Sequence, residues 1–177
     1  MPMVTVYDLH IEQDPAERPP RYSSIANAEH DMVQDGTDTT RALFIAAQII
    51  FELNRPHDAT DSEFLTTLMM MHYGGIALAG KTDAIEDIGG VGTWNVSGAH
   101  QNQPGLVKDI AVLPQYQKQG YGSAILEHIE STLVNAGTQT IELAASDAAR
   151  EFYEKHGYSL QMGHRIRGMM FKDISAR

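Results

Sequence analysis

The sequence predicts one α/β domain of the α+β kind, in which an early helical layer precedes a mixed sheet. Three observations point there. The apolar residues recur at helical spacing from Thr39 to about Tyr73, and after Gly74 they gather into short glycine-bounded runs of strand length. The chain has 177 residues, close to the ~150 expected of one domain. Its make-up, 42% hydrophobic and 20% charged, is that of an ordinary globular protein rather than a disordered one.

Each element has its own signal. Val4, Val6 and Leu9 mark a first strand over Met3–Ile11 with imperfect alternation. Residues 12–38 are polar and carry Pro15, Pro19 and Pro20, which predicts an irregular arm with a short helix near Ala26–Met32. Thr39–Asn54 is a helix apolar over a broad face, with Asp38 as its N-cap. Thr60 and Glu63 have capping-box spacing and open a helix running to about Tyr73, where Gly74 and Gly75 stop it. Gly75–Ala79 and Gly89–Val96 are strands joined by the polar loop Lys81–Asp87, and Gly105–Leu113 is a third. Gly120–Ala136 is a helix with Tyr121, Ile125, Ile129 and Leu133 one turn apart, closed by Gly137. Thr138–Ala144 alternates as a strand. Asp147–His156 is a helix ended by Gly157, with Glu151 and Lys155 one turn apart. Tyr158–Met162 and Arg165–Lys172 form a last strand pair turning at Gly163–His164.

Composition narrows the function. The absence of cysteine excludes a disulfide framework, a thiolate metal site and a cysteine nucleophile. The eight histidines show no pair at metal-ligand spacing on one helix face, so no metal is expected. No apolar run reaches the length of a membrane span, and the first residues lack the pattern of a signal peptide. A cytoplasmic protein without a membrane partner is the default expectation. The formal charge of −10 sits wholly in residues 1–100, which hold 5 basic and 15 acidic residues against 8 and 8 in the remainder. That balance argues against nucleic acid as a partner, because its phosphates are gripped by Lys and Arg. It suits a cationic ligand, or simply a solvated acidic surface.

The informative stretch is Val107–Ser123, VKDIAVLPQYQKQGYGS. A buried strand meets Pro114, which cannot continue a ladder. A polar turn follows, and Gly120-Tyr121-Gly122 opens a long helix. The first amides of a helix have no internal acceptor, and the helix dipole adds positive character there. Glycines let an anion approach that backbone, and Gln117, Lys118 and Gln119 add donors. The chemistry is that of a phosphate or pyrophosphate cradle; an ordinary strand–turn–helix is the plainer alternative.

These residues resemble a family. Gln117-Lys118-Gln119-Gly120-Tyr121-Gly122 after strand and proline is similar to the Gln/Arg-x-x-Gly-x-Gly/Ala signature of the GNAT acyltransferase superfamily. Ala149-Arg150-Glu151-Phe152-Tyr153-Glu154-Lys155-His156-Gly157-Tyr158 resembles that family's Ala-x-x-Phe-Tyr-x-x-x-Gly-Phe segment, and Met170-Phe171-Lys172 its usual last strand. The clear resemblance spans about residues 105–158, and a weaker one Gly74–Asp173. It implies a mixed, mostly antiparallel twisted sheet flanked by helices, with two central strands splayed apart. Residues 1–73 then form an acceptor-side region and 74–177 the cofactor-binding core of a single domain.

The resemblance implies acetyl-coenzyme A, or another acyl-CoA, as donor and an amine as acceptor, either a small molecule or a peptide. Pyrophosphate binding falls on Gln117, Lys118, Gln119, Gly120, Tyr121, Gly122 and Ser123. Pantetheine pairing falls on Ile110, Ala111 and Val112. Ser146, where the family often has Asn, joins the cofactor set with Ala149, Phe152 and Lys155; Phe152 is also read as core. Tyr153 matches the general acid that protonates the departing thiolate. The family's base position corresponds to Leu106, so Asp109 is the candidate base, with Glu142, His72 and His100 as others. The acidic N-terminal half would wall the acceptor cleft and favour a cationic amine. A non-catalytic acyl-CoA sensor or partner protein is the alternative function, and a homodimer is left open.

One competing motif is present. Gly75–Thr82 fits the P-loop pattern Gly-x-x-x-x-Gly-Lys-Thr. Its interior is apolar like a strand, and Thr82–Gly90 is too short and glycine-interrupted for the required helix. Met69–Met71 with Phe64, Leu65 and Leu68 reads as core or as an adaptable pocket wall. Trp94 reads as core or as a wall of the acceptor cleft.

Overall fold

The strongest local signals in the sequence become the helices. In the computed structural model, which describes residues 4–9, 21–34, 36–54, 60–71, 74–96, 104–160 and 166–175, the helices are α1 (Ile25–Glu29), α2 (Asp38–Asn54), α3 (Asp61–Met71), α4 (Tyr121–Asn135) and α5 (Arg150–Lys155). The Thr60–Glu63 capping box forms as expected: the Thr60 amide donates to Glu63 Oε2 at 2.6 Å and the Glu63 amide to Thr60 Oγ1 at 3.4 Å. The N-cap of α2 is Thr37 rather than Asp38, since Thr37 Oγ1 accepts from the Thr40 amide at 3.3 Å. Asp38 lies within the first turn, where a carboxylate suits the helix dipole. Ser24 caps α1, which widens into a π-helical turn over His30–Gln34. The irregular arm expected around Pro15, Pro19 and Pro20, the candidate bases His72 and His100, and the Gly163–His164 turn lie outside the described residues.

The strands are β1 (Thr5–Asp8), β2 (Gly75–Gly80), β3 (Ile88–Val96), β4 (Gly105–Val112), β5 (Thr140–Ala144), β6 (Ser159–Leu160) and β7 (Met169–Asp173). They form one sheet in the order β1-β2-β3-β4-β5-β7-β6. Every pair is antiparallel except β4 with β5. Gly75–Gly80 is therefore an interior strand leading into a short 3-10 turn at Ile85–Asp87, and the P-loop reading fails.

Helices cover both faces. α2 and α3 bury Leu43, Phe44, Ile50, Phe64 and Leu68 against Ile76, Leu78, Val91 and Ala111 of the sheet. On the other face α4 buries Tyr121, Ile125, Ile129 and Leu133, the predicted stripe, against Ala77, Ala79 and Val107. Burying each such side chain is worth ~1.5–3 kcal/mol. The same cluster continues into Ile141, Leu143, Tyr153, Tyr158 and Met170. α4 thus lies across β2, β3 and β4. Beneath it lies a buried ion pair, Lys172 Nζ to Glu130 Oε1 and Oε2 at 2.6 and 2.7 Å.

The parallel pair is short. β4 and β5 are in register only at Gly105↔Ile141, Leu106↔Glu142 and Val107↔Leu143, while β4 runs on beside β3 to Val112. The expected splay of two central strands is present.

Candidate functional site

The turn after β4 is built to leave amides bare. The Gln117 amide donates to the Pro114 carbonyl, and the next backbone bond is Ala124 N–H to Gly120 C=O. Between them the six amides from Lys118 to Ser123 have no acceptor among the described residues. Lys118 and Gly120 both take left-handed conformations, φ 59° and 92°. Such alternation curls successive N–H groups into an anion-binding concavity. Glycine is required at 120 for its φ, and the space where its side chain would stand is open. Lys118 holds the same region without that licence, a strain characteristic of binding loops.

The side chains of this turn do something other than expected. Gln117 Nε2 donates back to the Val112 carbonyl at 3.0 Å, and Gln119 Nε2 to the Gln115 carbonyl at 2.6 Å. Both amides brace the turn instead of facing a ligand. The Tyr121 ring is buried against Tyr116, centroids 5.0 Å apart, so only its backbone remains available. Gly122 lies beside the Phe152 ring at ordinary contact distance. Ser123 Oγ is 3.0 Å from His156 Nε2, and His156 Nδ1 is 2.7 Å from the Phe152 carbonyl. A carbonyl only accepts, so Nδ1 carries a proton and, in the neutral ring, Nε2 accepts from Ser123. His156 carries no functional signal in the sequence; its place two residues after Glu154 gives no hint of a partner 33 positions away.

Strand β4 supplies the second part. The Leu113 amide bonds to Gly89 on β3, and strand alternation then turns Ala111 to β3 while the N–H and C=O of Ile110 and Val112 face the open side. Of the three expected pantetheine partners, Ala111 is spent in the sheet. The Val112 carbonyl is taken by Gln117. Ile110 and the Val112 amide keep free groups toward the gap left by β5.

A bulge shapes the third part. Thr93 pairs with Asp109 but Trp94 with Val107, so β4 has one residue in excess at Lys108. Bulges re-aim side chains beside sites. Here Leu106, Val107, Lys108 and Asp109 all line one cavity of about 460 Å³, closed by α3 and by Trp94. Asp109 accepts from Asn54 Nδ2 at 3.2 Å and from Thr93 Oγ1 at 3.4 Å. Leu106 does lie in the cavity lining, whereas Glu142 pairs beside it on β5 and is not in the lining. Trp94 is both core, 6% exposed, and wall. Met70 and Met71 are wall residues too. Among the described residues Asp109 is the one carboxylate of this cavity, and no described acidic residue of 1–100 lines it.

Tyr153 is buried on α5, edge-on to Phe152 and Tyr158. Burial first, and the Asp109 carboxylate second, push its phenol up to about 12. It stays protonated across the physiological range, as a proton donor must. Ser146 Oγ accepts from the Ala149 amide at 3.3 Å, capping the turn into α5. Lys155 is exposed and paired with Glu151 at 2.8 Å. No described helix is long and apolar enough to cross a membrane, and no described group of His, Asp and Glu is arranged for a metal.

Comparison with known proteins bears on the fold. Residues 79–160, just under half of the chain, match the family described as Acetyltransferase (GNAT) domain. A Bacillus subtilis protein named uncharacterized N-acetyltransferase CgeE is 34% identical over 58 residues, 32% of this chain and 22% of the relative. The match thus spans about a fifth of that relative's length. An acetyltransferase of the GNAT family from Staphylococcus aureus superposes with TM-score 0.59 at 16% identity, covering 97% of this chain and 99% of that one. Rv2747 from Mycobacterium tuberculosis, solved in complex with CoA and NLQ, gives TM-score 0.54 at 19% identity over 70% of each chain.

Proposed function

We propose, from the match of residues 79–160 to the GNAT acetyltransferase domain and a fold shared with a solved GNAT acetyltransferase, that the chain is an N-acetyltransferase moving the acetyl group of acetyl-CoA to a primary amine. One observation carries this reading: six bare amides, Lys118–Ser123, adjoin an open-sided strand. A diphosphate suits the first and an amide-bearing arm the second. The whole of 1–177 works as one domain, with the helical layer of 1–73 on the acceptor side.

Acetyl-CoA supplies the acetyl group as a thioester. The turn would hold it through the backbone of Lys118–Ser123, with Ile110 and the Val112 amide along the arm. Gln117 and Gln119 keep the turn in shape, and Ser146, Ala149 and Phe152 border the α5 side. Transfer forms a C–N bond and breaks a C–S bond. Asp109 takes the proton the amine must lose, and the Tyr153 phenol gives one to the departing sulfur. Carriage of both protons by the chain needs no metal.

Calorimetry with acetyl-CoA and a thiol-release assay test the proposal. The expected result is binding that Gly120→Ala weakens by about tenfold or more, ~1.4 kcal/mol, with amine-dependent thiol release. Absence of binding overturns the reading. Binding without release for any amine replaces it by the acyl-CoA sensor.

A further inference from the structure

From the chemistry of the cavity beside Asp109 we infer that the acceptor is a monoamine on an apolar body rather than a polyamine, aminoglycoside or other polycation. The inference rests on the acyl-transfer reading above and specifies its substrate class.

The cavity, about 460 Å³, has the size and the largely apolar wall of small-molecule sites. Its polar groups are mostly spent. Thr66 Oγ1 donates to the Ser62 carbonyl at 2.8 Å and Thr67 Oγ1 to the Glu63 carbonyl at 3.0 Å, both within α3. Thr93 Oγ1 donates to Asp109. A sugar or polyol would lose its water-made hydrogen bonds on entering and regain few.

The charges allow one ammonium. Asp109 is the one carboxylate of the lining among described residues, and Lys108 stands next to it in the same wall. Among the described residues of the lining a second ammonium would meet no further anion and a like charge, an arrangement that disfavours it.

The walls suit a flat or branched hydrocarbon. The Trp94 indole lies on the backbone of Gly75, where a Cβ would overlap the ring carbons Cε2 and Cζ2. A side chain at Gly75 would displace the ring, so glycine there makes room for the indole. Met70 and Ile166 flank the cavity with 46% and 55% exposure, large apolar side chains left to solvent. Methionine adapts to the shape it meets, and exposed apolar side chains around a cavity are a binding signature.

The test compares 2-phenylethylamine and isoamylamine with spermidine and kanamycin, by thiol release and by calorimetry on the full chain in saturating CoA. The expected result is that the apolar monoamines bind and react at least about tenfold better, ~1.4 kcal/mol. Met70→Glu should raise their KM about tenfold while leaving kcat and the acetyl-CoA KM near wild type. Equal or better use of spermidine or kanamycin overturns the inference and leaves acyl transfer standing. Failure of every amine to bind in the presence of CoA also overturns it. Failure to bind acetyl-CoA itself strikes the underlying reading instead.

Discussion

Gln117 reaches back five residues to give its side-chain N–H to the Val112 carbonyl at 3.0 Å, fastening the bare-amide turn to the open end of β4. The bond lies on the surface, so its net worth to the fold is about 0.5–1.5 kcal/mol. Gln117→Ala should therefore barely move the melting temperature. It should weaken acetyl-CoA binding about tenfold, ~1.4 kcal/mol, because the turn is no longer pre-set. Unchanged affinity by calorimetry would mean that the amides hold their places without the brace.

Tyr153 gives a prediction in both rate and stability. Tyr153→Phe should lower kcat by about 10²–10⁴, the span of a positioned acid, with little change in acetyl-CoA affinity. Its phenol sits at about 12 in the folded chain and near 10 unfolded. Below pH 10 both states hold the proton and the contribution to stability is full. Between pH 10 and 12 the unfolded state loses its proton first, so stability falls as pH rises, by about 2–3 kcal/mol in all. Denaturant melts across that range should show the decline in the wild type and less of it in the Phe variant.

Asp109→Asn should cut kcat/KM at neutral pH by about 10²-fold or more, as loss of a base does. The deficit should shrink as pH rises toward the amine's own pKa, where free amine needs no base. Removing the carboxylate also removes one of the two causes holding the Tyr153 phenol high. Ultraviolet titration should then find that phenol lower. A pH-independent deficit would reassign Asp109 to holding Asn54 and Thr93 in place.

The buried pair Glu130–Lys172 is a matter of structure. Lys172→Met alone strands a carboxylate that is 3% exposed and should cost about 3–5 kcal/mol. Glu130→Leu with Lys172→Met should recover most of that loss. Chemical denaturation of the two variants checks it, and equal instability of both would show that the pair's value lies in more than mutual neutralisation.

Local physics made much of this legible. Tyr121, Ile125, Ile129 and Leu133 wrote α4 at one-turn spacing, and Thr60 with Glu63 wrote the start of α3. The bare-amide turn is legible because Gly120 and Gly122 stand at a strand–helix junction. Other features depend on contacts far apart in the chain. Asn54 meets Asp109 across 55 positions, and Ser123 meets His156 across 33. The extra residue at Lys108 shows only against the register of β3. The inward turn of Gln117 follows from packing, since a glutamine can brace or bind with equal ease. Net charge counts acids without saying which face they occupy, and the described wall beside Asp109 is largely apolar.

The three-rung seam between β4 and β5 has a mechanical consequence. With so few ladder bonds joining them, the first four strands and the last three cohere through that short seam, the apolar cluster around it and the buried Lys172–Glu130 pair between β7 and α4. On the proposed reading, a donor lodged in the fork would complete the bonding as well as react there. Occupancy should accordingly slow amide exchange on both flanks at once, making the protein most rigid when it is loaded.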